Sequence, residues 1–297
     1  MNENLSSCPV CGKSGFSNFL ETADYFLTNE PFSIQKCNDC GFKFVNPRPD
    51  IREIGRYYQS DEYISHDAEK AGLVTRLYKI ARVFSIRTKF NIVNRYTSSG
   101  SILDIGCGTG EFLHYCNSKG YDVSGVEPNE KAGSFAQQVN GIPVTTALGK
   151  LDPLTCKFSC ITMWHVLEHL HELNESLEQV KSLLLPGGVF IAAVPNSNSW
   201  DAAHYGKYWA AYDVPRHLYH FTESSVTILA KNHGFEIVKT VPQKLDAFYV
   251  SMLSEKYLTG KTNHVKAFFK GAWSNFMAGI ATRGHSSQIF ILSVKKT

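Results

Sequence analysis

Nowhere in its 297 residues does this chain hold an apolar run long enough to cross a membrane. Its polar start, Met1-Asn2-Glu3-Asn4, has none of the basic-then-apolar pattern of an export signal. A cytoplasmic protein is expected. Internal repeats and low-complexity tracts are missing too, so the sequence gives no sign of a repeat array or a disordered tail. Neither sign of charge is in excess: 30 Lys and Arg against 27 Asp and Glu leave a net +3, too little to announce a nucleic-acid binder. What is present, 43% hydrophobic and 19% charged residues, describes a globular chain with room for one catalytic domain and a small accessory one.

Eight cysteines would suggest disulfides in a secreted chain, but without an export pattern their spacing carries more weight than their number. Four fall in two knuckles, Cys8-Pro9-Val10-Cys11-Gly12 and Cys37-Asn38-Asp39-Cys40-Gly41, with 25 residues between them. That is the ligand pattern of a tetrahedral Cys₄ zinc site, and a glycine after each second cysteine permits the left-handed turn of such knuckles. Four thiolates leave no open coordination position, so the expected Zn²⁺ is structural. Cys107, Cys116, Cys156 and Cys160 read as small core or loop residues.

Residues 1–48 therefore read as a zinc ribbon, closed by Asn46-Pro47-Arg48-Pro49, which cannot be regular structure. Residues 49–98 read as a helical cap or linker. Leu73, Leu77, Ile80 and Phe84, then Ile86, Phe90 and Val93, recur at helical spacing. From Lys70 to Arg95 the segment carries seven basic residues and no acidic one. A solvated face explains this; a contact for an anionic substrate or a membrane surface is the sharper alternative. Residues 99–297 alternate strand and helix. Strands are expected near 101–105, 121–126, 142–146, 158–163 and 188–194, which argues a parallel, doubly wound α/β sheet. A helix near 172–185 shows the stripe Leu173, Leu177, Val180 and Leu184, and another over 223–233 starts at Thr222 and stops at Gly234. Strands near 235–241 and 289–294 flank an aromatic-rich helical insert at about 246–281.

The most informative stretch is Ile102-Leu103-Asp104-Ile105-Gly106-Cys107-Gly108-Thr109-Gly110-Glu111. An apolar strand enters a turn whose glycines, Gly106, Gly108 and Gly110, let the backbone approach a ligand closely, and the turn opens a helix. Asp104 argues against a dinucleotide, because a carboxylate before the loop repels a pyrophosphate. It suits a cofactor that carries an ammonium and a sulfonium and no phosphate, which describes S-adenosylmethionine (SAM). The spacing G-x-G-x-G also differs from the G-x-G-x-x-G dinucleotide fingerprint. At the end of the next strand Glu127, 21 residues after Gly106 and followed by Pro128, stands where a carboxylate accepts both ribose hydroxyls.

These residues resemble the class I SAM-dependent methyltransferases, and in detail the branch that includes ubiquinone-type O-methyltransferases. The resemblance extends through Phe158 to Leu170, similar to the family's fourth strand and loop, and Leu183 to Ile191, similar to the approach to its fifth. It implies a Rossmann-like sheet and a cofactor held by Asp104, Gly106, Cys107, Gly108, Gly110, Glu127, Pro128 and Trp164, with Leu148 beside the adenine. Ser159 stands where the family often has an acid, a departure that puts contacts to the adenine edge in doubt.

Three segments are expected at the carboxyl edge of the sheet. His165-Val166-Leu167-Glu168-His169 matches H-x-x-E-H, but a segment that directly follows a strand cannot supply the continuous helix a zinc protease needs. It reads as a cap on the cofactor pocket or as groups facing the acceptor. Quinone-pathway relatives hold a divalent ion with an acidic cluster here, and His165 stands at one of those places. The second segment, Trp209 to Phe221, is where the family recognises its acceptor; its alternative is a packed loop in which Arg216 pairs with Asp213. The third, with Phe248, Tyr249, Tyr257, Phe268, Phe269 and Trp273, reads as core or lid. A hydroxyl acceptor benefits from a base of near-neutral pKa, which makes His217 the first candidate, followed by His220, His165 and His169. The expected function is methylation of an oxygen on a small or lipid-linked metabolite. RNA methylation, C-methylation of a nucleotide sugar and SAM sensing without turnover are the alternatives. No Asn-Pro-Pro-Tyr or Asp-Pro-Pro-Tyr follows the fourth strand, which weighs against base methylation and disfavours nucleic acid as the partner. No transmembrane segment is expected, and peripheral membrane contact stays open.

Overall fold

A computed structural model of the chain describes residues 2–59, 73–280 and 284–295. Lys70 lies outside the described residues, as do the side chains of Leu73, Arg76, Leu77, Lys79 and Ile80; of the rest of the expected stripe, Val93 is buried but Phe84 is exposed.

The N-terminal strands are β1 (Asn2–Glu3), β2 (Phe16–Ala23), β3 (Pro31–Cys37), β4 (Lys43–Val45) and β5 (Arg48–Pro49). The last corrects the expectation that 46–49 is irregular, because Arg48 and Pro49 pair antiparallel with Glu3 and Asn2 in a short edge ladder that tolerates proline. β2, β3 and β4 form an antiparallel meander whose fourth strand, β11 (Tyr219–His220), comes from far along the chain. The ribbon sheet thus grips the loop expected to meet the acceptor. Helix α1 (Leu73–Tyr96) follows and leads into the main sheet.

That sheet contains β6 (Ser101–Ile105), β7 (Asp122–Val126), β8 (Val144–Thr145), β9 (Phe158–Trp164), β10 (Leu184–Pro195), β12 (Phe235–Pro242) and β13 (Ser287–Val294). Its order is β12-β13-β10-β9-β6-β7-β8. Helices α2 (Glu111–Asn117), α3 (Glu130–Gln138), α4 (Leu173–Leu183), α5 (Trp200–Tyr205) and α6 (Glu223–Asn232) lie between strands. The five strands from β8 to β10 run parallel, as the alternating pattern predicts. The end of the sheet does not: β13 is antiparallel to both β10 and β12 and lies between them. Ile289, Phe290, Ile291 and Leu292 are all buried, so this strand is covered on both faces and reads as one apolar run.

Local expectations hold with small shifts. Leu173, Leu177, Val180 and Leu183 form the buried stripe of α4, while Leu184 already belongs to β10. Thr222 caps α6 in a reciprocal capping box with Ser225. The insert divides into α7 (Asp246–Thr259) and α8 (His264–Ile280), separated by Gly260 in the left-handed region. Register pairs Asp104 with Gly125 on one side and Thr162 on the other. The parallel strands therefore end together, and the loops after β6, β7, β9 and β10 share one edge.

Candidate active site

The loop after β6 is built by its own backbone. Gly106 and Cys107 donate to the carbonyl of Val126 at 2.7 and 3.2 Å, which ties the turn to the end of β7. Gly106, Gly108 and Gly110 have φ of 73°, 55° and 77°, where an L side chain is strained. A Cβ on Gly106 would meet Val166 at 2.5 Å, and one on Gly110 would meet Ala136 at 2.9 Å. At Gly108 nothing lies within 4 Å, which leaves room above the turn. Cys107 points down instead, against Gly125. Glu127 accepts the Gly108 amide at 2.8 Å with one carboxylate oxygen and the Asn129 amide at 2.8 Å with the other. Pro128 is exposed beside it.

Asp104 is buried beneath this loop and accepts the Thr162 hydroxyl at 2.6 Å. Burial pushes its carboxyl up to about 7, against the pull of Thr162 and Lys89. Lys89 corrects the reading of α1 as a purely solvated basic face. Its ammonium lies 4.9 Å from the Trp164 ring, burial lowers its pKa, and Asp104 and Asp246 oppose that shift. Trp164 packs edge-on to Phe112, and its indole N–H is buried without a hydrogen-bond partner among the described residues. Leu148 opens a 3₁₀ turn, partly buried against the core. Ser159 lies at the amino end of β9, opposite the loop edge, and donates to the Ser101 carbonyl at 2.8 Å. Open space over Gly108, a fixed carboxylate beside it and an orphaned indole N–H make a donor and acceptor set that fits a nucleoside carrying an amino-acid tail.

The four candidate histidines have different chemistries. His165 takes a left-handed φ of 58° just after β9 and places Nε2 3.0 Å from Asp246 and Nδ1 3.4 Å from Glu168. Burial works against its charge, but Asp246 and Glu168 outweigh it and lift its pKa to about 10. It is an imidazolium at neutral pH and cannot act as a base. His220 is buried and neutral, because burial drives its pKa far down, and its Nε2 has no partner among the described residues. His169 is depressed to about 4 by burial and by His217, with Nδ1 3.0 Å from the Arg216 carbonyl and 2.9 Å from the Tyr58 hydroxyl. His217 donates from Nδ1 to the Ala211 carbonyl at 2.9 Å and places Nε2 3.9 Å from the Asp213 carboxylate. The His217 ring stands edge-on to His169 with centroids 4.6 Å apart.

Glu168 lies beneath these rings, its side chain 0% exposed and both oxygens without a hydrogen bond among the described residues. Burial opposes its ionisation, yet His165, His217 and His169 together hold its pKa below the ordinary value. One ligand atom each from Glu168, His169 and His217 fall within 4.8 Å of one another. The H-x-x-E-H stretch is the loop just after β9 and a 3₁₀ turn at Leu167–His169, as its position predicts. Asp246, which fastens His165, carries no sequence signal that points to this site, since it comes from beyond β12.

The 209–221 loop is largely core rather than pocket rim. Trp209, Tyr212, Tyr219 and Phe221 are buried. Arg216 is 1% exposed and spans the fold: it pairs with Asp213 at 2.6 Å and Asp24 at 2.7 Å, and donates to the Tyr57 carbonyl at 3.0 Å. The packed-loop alternative, Arg216 with Asp213, is the one the structure contains, with the ribbon's Asp24 as a further partner.

In the ribbon, the sulfurs of Cys8, Cys11, Cys37 and Cys40 lie within 4.8 Å of one another, with Cys8–Cys40 and Cys11–Cys37 each at 3.6 Å. Zn–S bonds of about 2.3 Å in a tetrahedron place sulfurs roughly 3.8 Å apart, so the quartet fits that ion. Gly12 and Gly41 both have φ of 73°. The knuckle also docks on helices α4 and α6, where Asn174 and Asn232 donate to the Pro9 and Val10 carbonyls at 3.1 and 2.7 Å.

Comparison with known proteins adds three findings. A family profile described as a methyltransferase domain matches residues 81–240. A ubiquinone biosynthesis O-methyltransferase of Rhodopseudomonas palustris is 25% identical over 149 residues, covering 47% of this chain and 58% of that protein. An uncharacterised protein of Methanocaldococcus jannaschii is 28% identical over 145 residues, covering 45% of this chain and 56% of its own. The chain thus spans little more than half the length of these relatives. The solved magnesium protoporphyrin IX methyltransferase of Synechocystis, with S-adenosylhomocysteine bound, superposes with a TM-score of 0.50 at 16% identity, over 82% of this chain and 93% of that one. This likeness is one of fold.

Proposed function

The chain belongs to the methyltransferase-domain family, and on that premise we propose that it methylates an oxygen of a small or lipid-linked metabolite with SAM as donor. The observation that carries this reading is the pairing of the open glycine turn with Glu127, whose carboxylate is fixed beside Gly108 at 2.8 Å. Gly106, Cys107, Gly108 and Gly110 form the floor for the cofactor, and Glu127 accepts from its ribose. Pro128 and Leu148 would flank the base, Trp164 would border the pocket, and Asp104, in its ionised form, would attract the ammonium of the amino-acid end. When bound, SAM supplies a methyl group activated by the sulfonium.

The remaining work falls to the chain. His217 takes the proton of the acceptor hydroxyl at Nε2, because its Nδ1 is committed to the Ala211 carbonyl. His169 walls that position, Glu168 stabilises the imidazolium formed, and His220 is the reserve candidate because burial keeps it neutral. His165, already protonated, orients the acceptor rather than deprotonating it. Cys8, Cys11, Cys37 and Cys40 hold a structural zinc ion.

The test is methyl-labelled SAM incubated with the protein and an extract of its host, followed by separation of lipid, polar and RNA fractions. Label in a lipid or polar product as a methyl ether supports the reading, and His217→Gln should lower kcat by about 10²-fold or more. Label confined to RNA or on carbon overturns it. Turnover that vanishes with chelator and returns with Mg²⁺, which does not refill a thiolate site, would move His217 from base to ligand.

A further inference from the structure

Helix α8 has its side chains arranged inside out. Its buried positions are Ala267, Gly271 and Ser274, all small. Gly271 lets the backbone of α7 approach so closely that a Cβ would meet the Phe248 Cα at 2.9 Å, and Ser274 donates to Asp201 at 3.0 Å. The bulky residues face the other way: Val265, Phe268, Phe269, Trp273, Phe276 and Ile280 are each at least 50% exposed. They recur at helical spacing along one stripe. A helix that only needed to pack on its domain would bury such residues and expose the small ones.

Charge identifies the occupant of this stripe. Between Lys244 and Ile280 there are five lysines and two acids. Both acids are paired, Asp246, half-buried, with His165 at 3.0 Å and Glu255, 1% exposed on its side chain, with Lys266 at 2.8 Å, which leaves four lysines unpaired with an acid among the described residues. Lys256 and Lys261 are exposed near the turn between the two helices. The face is thus aromatic and aliphatic at its centre and basic around it. Two copies of it would bring lysine against lysine, which disfavours self-association. We propose that the outer face of α8 docks on an anionic lipid bilayer, lying in the headgroup plane with its phenyl and indole rings below it. Among the described residues no helix is long and apolar enough to cross a membrane, so the contact is peripheral. This docking does not depend on which atom the enzyme methylates, but it would bring the site to a lipid-linked acceptor.

The experiment uses the full chain without SAM, mixed with vesicles of phosphatidylcholine and phosphatidylglycerol or of phosphatidylcholine alone. Co-sedimentation with the mixed vesicles is expected, with far less on the neutral ones. The emission of Trp273, isolated by difference from Trp273→Phe, should shift to the blue. Phe269→Glu with Trp273→Glu should weaken binding by about tenfold or more without changing the melting temperature. Lys256→Glu with Lys261→Glu, which touch no core, should weaken it for the mixed vesicles as well. Protein that stays in the supernatant with both vesicle types overturns the proposal. So does a dimer that the paired glutamates at 269 and 273 convert to monomer while vesicle binding stays as before. Failure of methyl transfer leaves these readouts untouched, so the two readings fail separately.

Discussion

Two side chains at the carboxyl edge of the sheet have protonation equilibria that their surroundings have moved in opposite chemical senses. Asp104 rises to about 7 because burial penalises its charge. A carboxyl raised above its ordinary value of about 4 is harmless while protonated and costs stability once it must ionise. Stability is therefore lost as pH rises from about 4 to about 7 and is level above that. Asp104→Asn, whose amide oxygen can still accept from Thr162, should remove this slope, read from urea midpoints across that range. His165 shows the reverse sign: its pKa of about 10 stands above the unfolded histidine's. Its contribution is fully present below about pH 6.5 and fades as pH rises through the folded value. His165→Gln should thus be less stable than the native chain at pH 6, with the gap closing toward pH 10. The difference of the two melting curves checks it.

At the scale of elements, the segment that joins β10 to α6 is tied by its own backbone hydrogen bonds and fastened to the ribbon by a guanidinium. Arg216 bridges Asp213 within the loop and Asp24 of the ribbon, both within 2.7 Å, with the Phe26 ring 4.8 Å from its guanidinium carbon. Asp24 also receives the amides of Phe26, Leu27 and Thr28, so the whole ribbon turn and the acceptor loop are coupled through one buried pair. Removing one partner strands a buried charge, and Arg216→Met should lower stability by about 3–5 kcal/mol in denaturant titration. Because His217 follows Arg216 directly, kcat should fall along with stability. The glycine turn is equally local in its demands. Gly110→Ala places a methyl 2.9 Å from Ala136 at a φ of 77°, and should cost at least about 1 kcal/mol and weaken SAM binding, measured by calorimetry.

For the whole molecule, ribbon and catalytic domain share a sheet, since β11 pairs with β4. They should unfold together. Treatment with a zinc chelator is expected to remove one metal ion per chain and to lower the single melting transition, rather than detach an independent domain; Cys37→Ser should do the same. Native mass spectrometry counts the ion and calorimetry counts the transitions. Two separate transitions would show the ribbon to be autonomous. The inverted face of α8 belongs to this scale as well, because its meaning lies in what the whole molecule meets.

What sequence determined by itself was everything written within a few residues: the glycine turn after Asp104, the Cys-x-x-C knuckles, the cap at Thr222 and the period of α4. Those patterns follow from backbone sterics and helical repeat, which need no distant partner. Tertiary structure decided the pairings across the chain. The sequence did not say that β13 inserts antiparallel between β10 and β12, or that Lys89 turns from a basic helix toward Asp104. Asp246 reaching His165, and Arg216 meeting Asp24 across 192 positions, were equally hidden. In each of these contacts the partners lie far apart in the chain, and the residues beside either one do not specify the other. Only closure of the long loops between them, repaid by burial of the elements they connect, selects one partner over another.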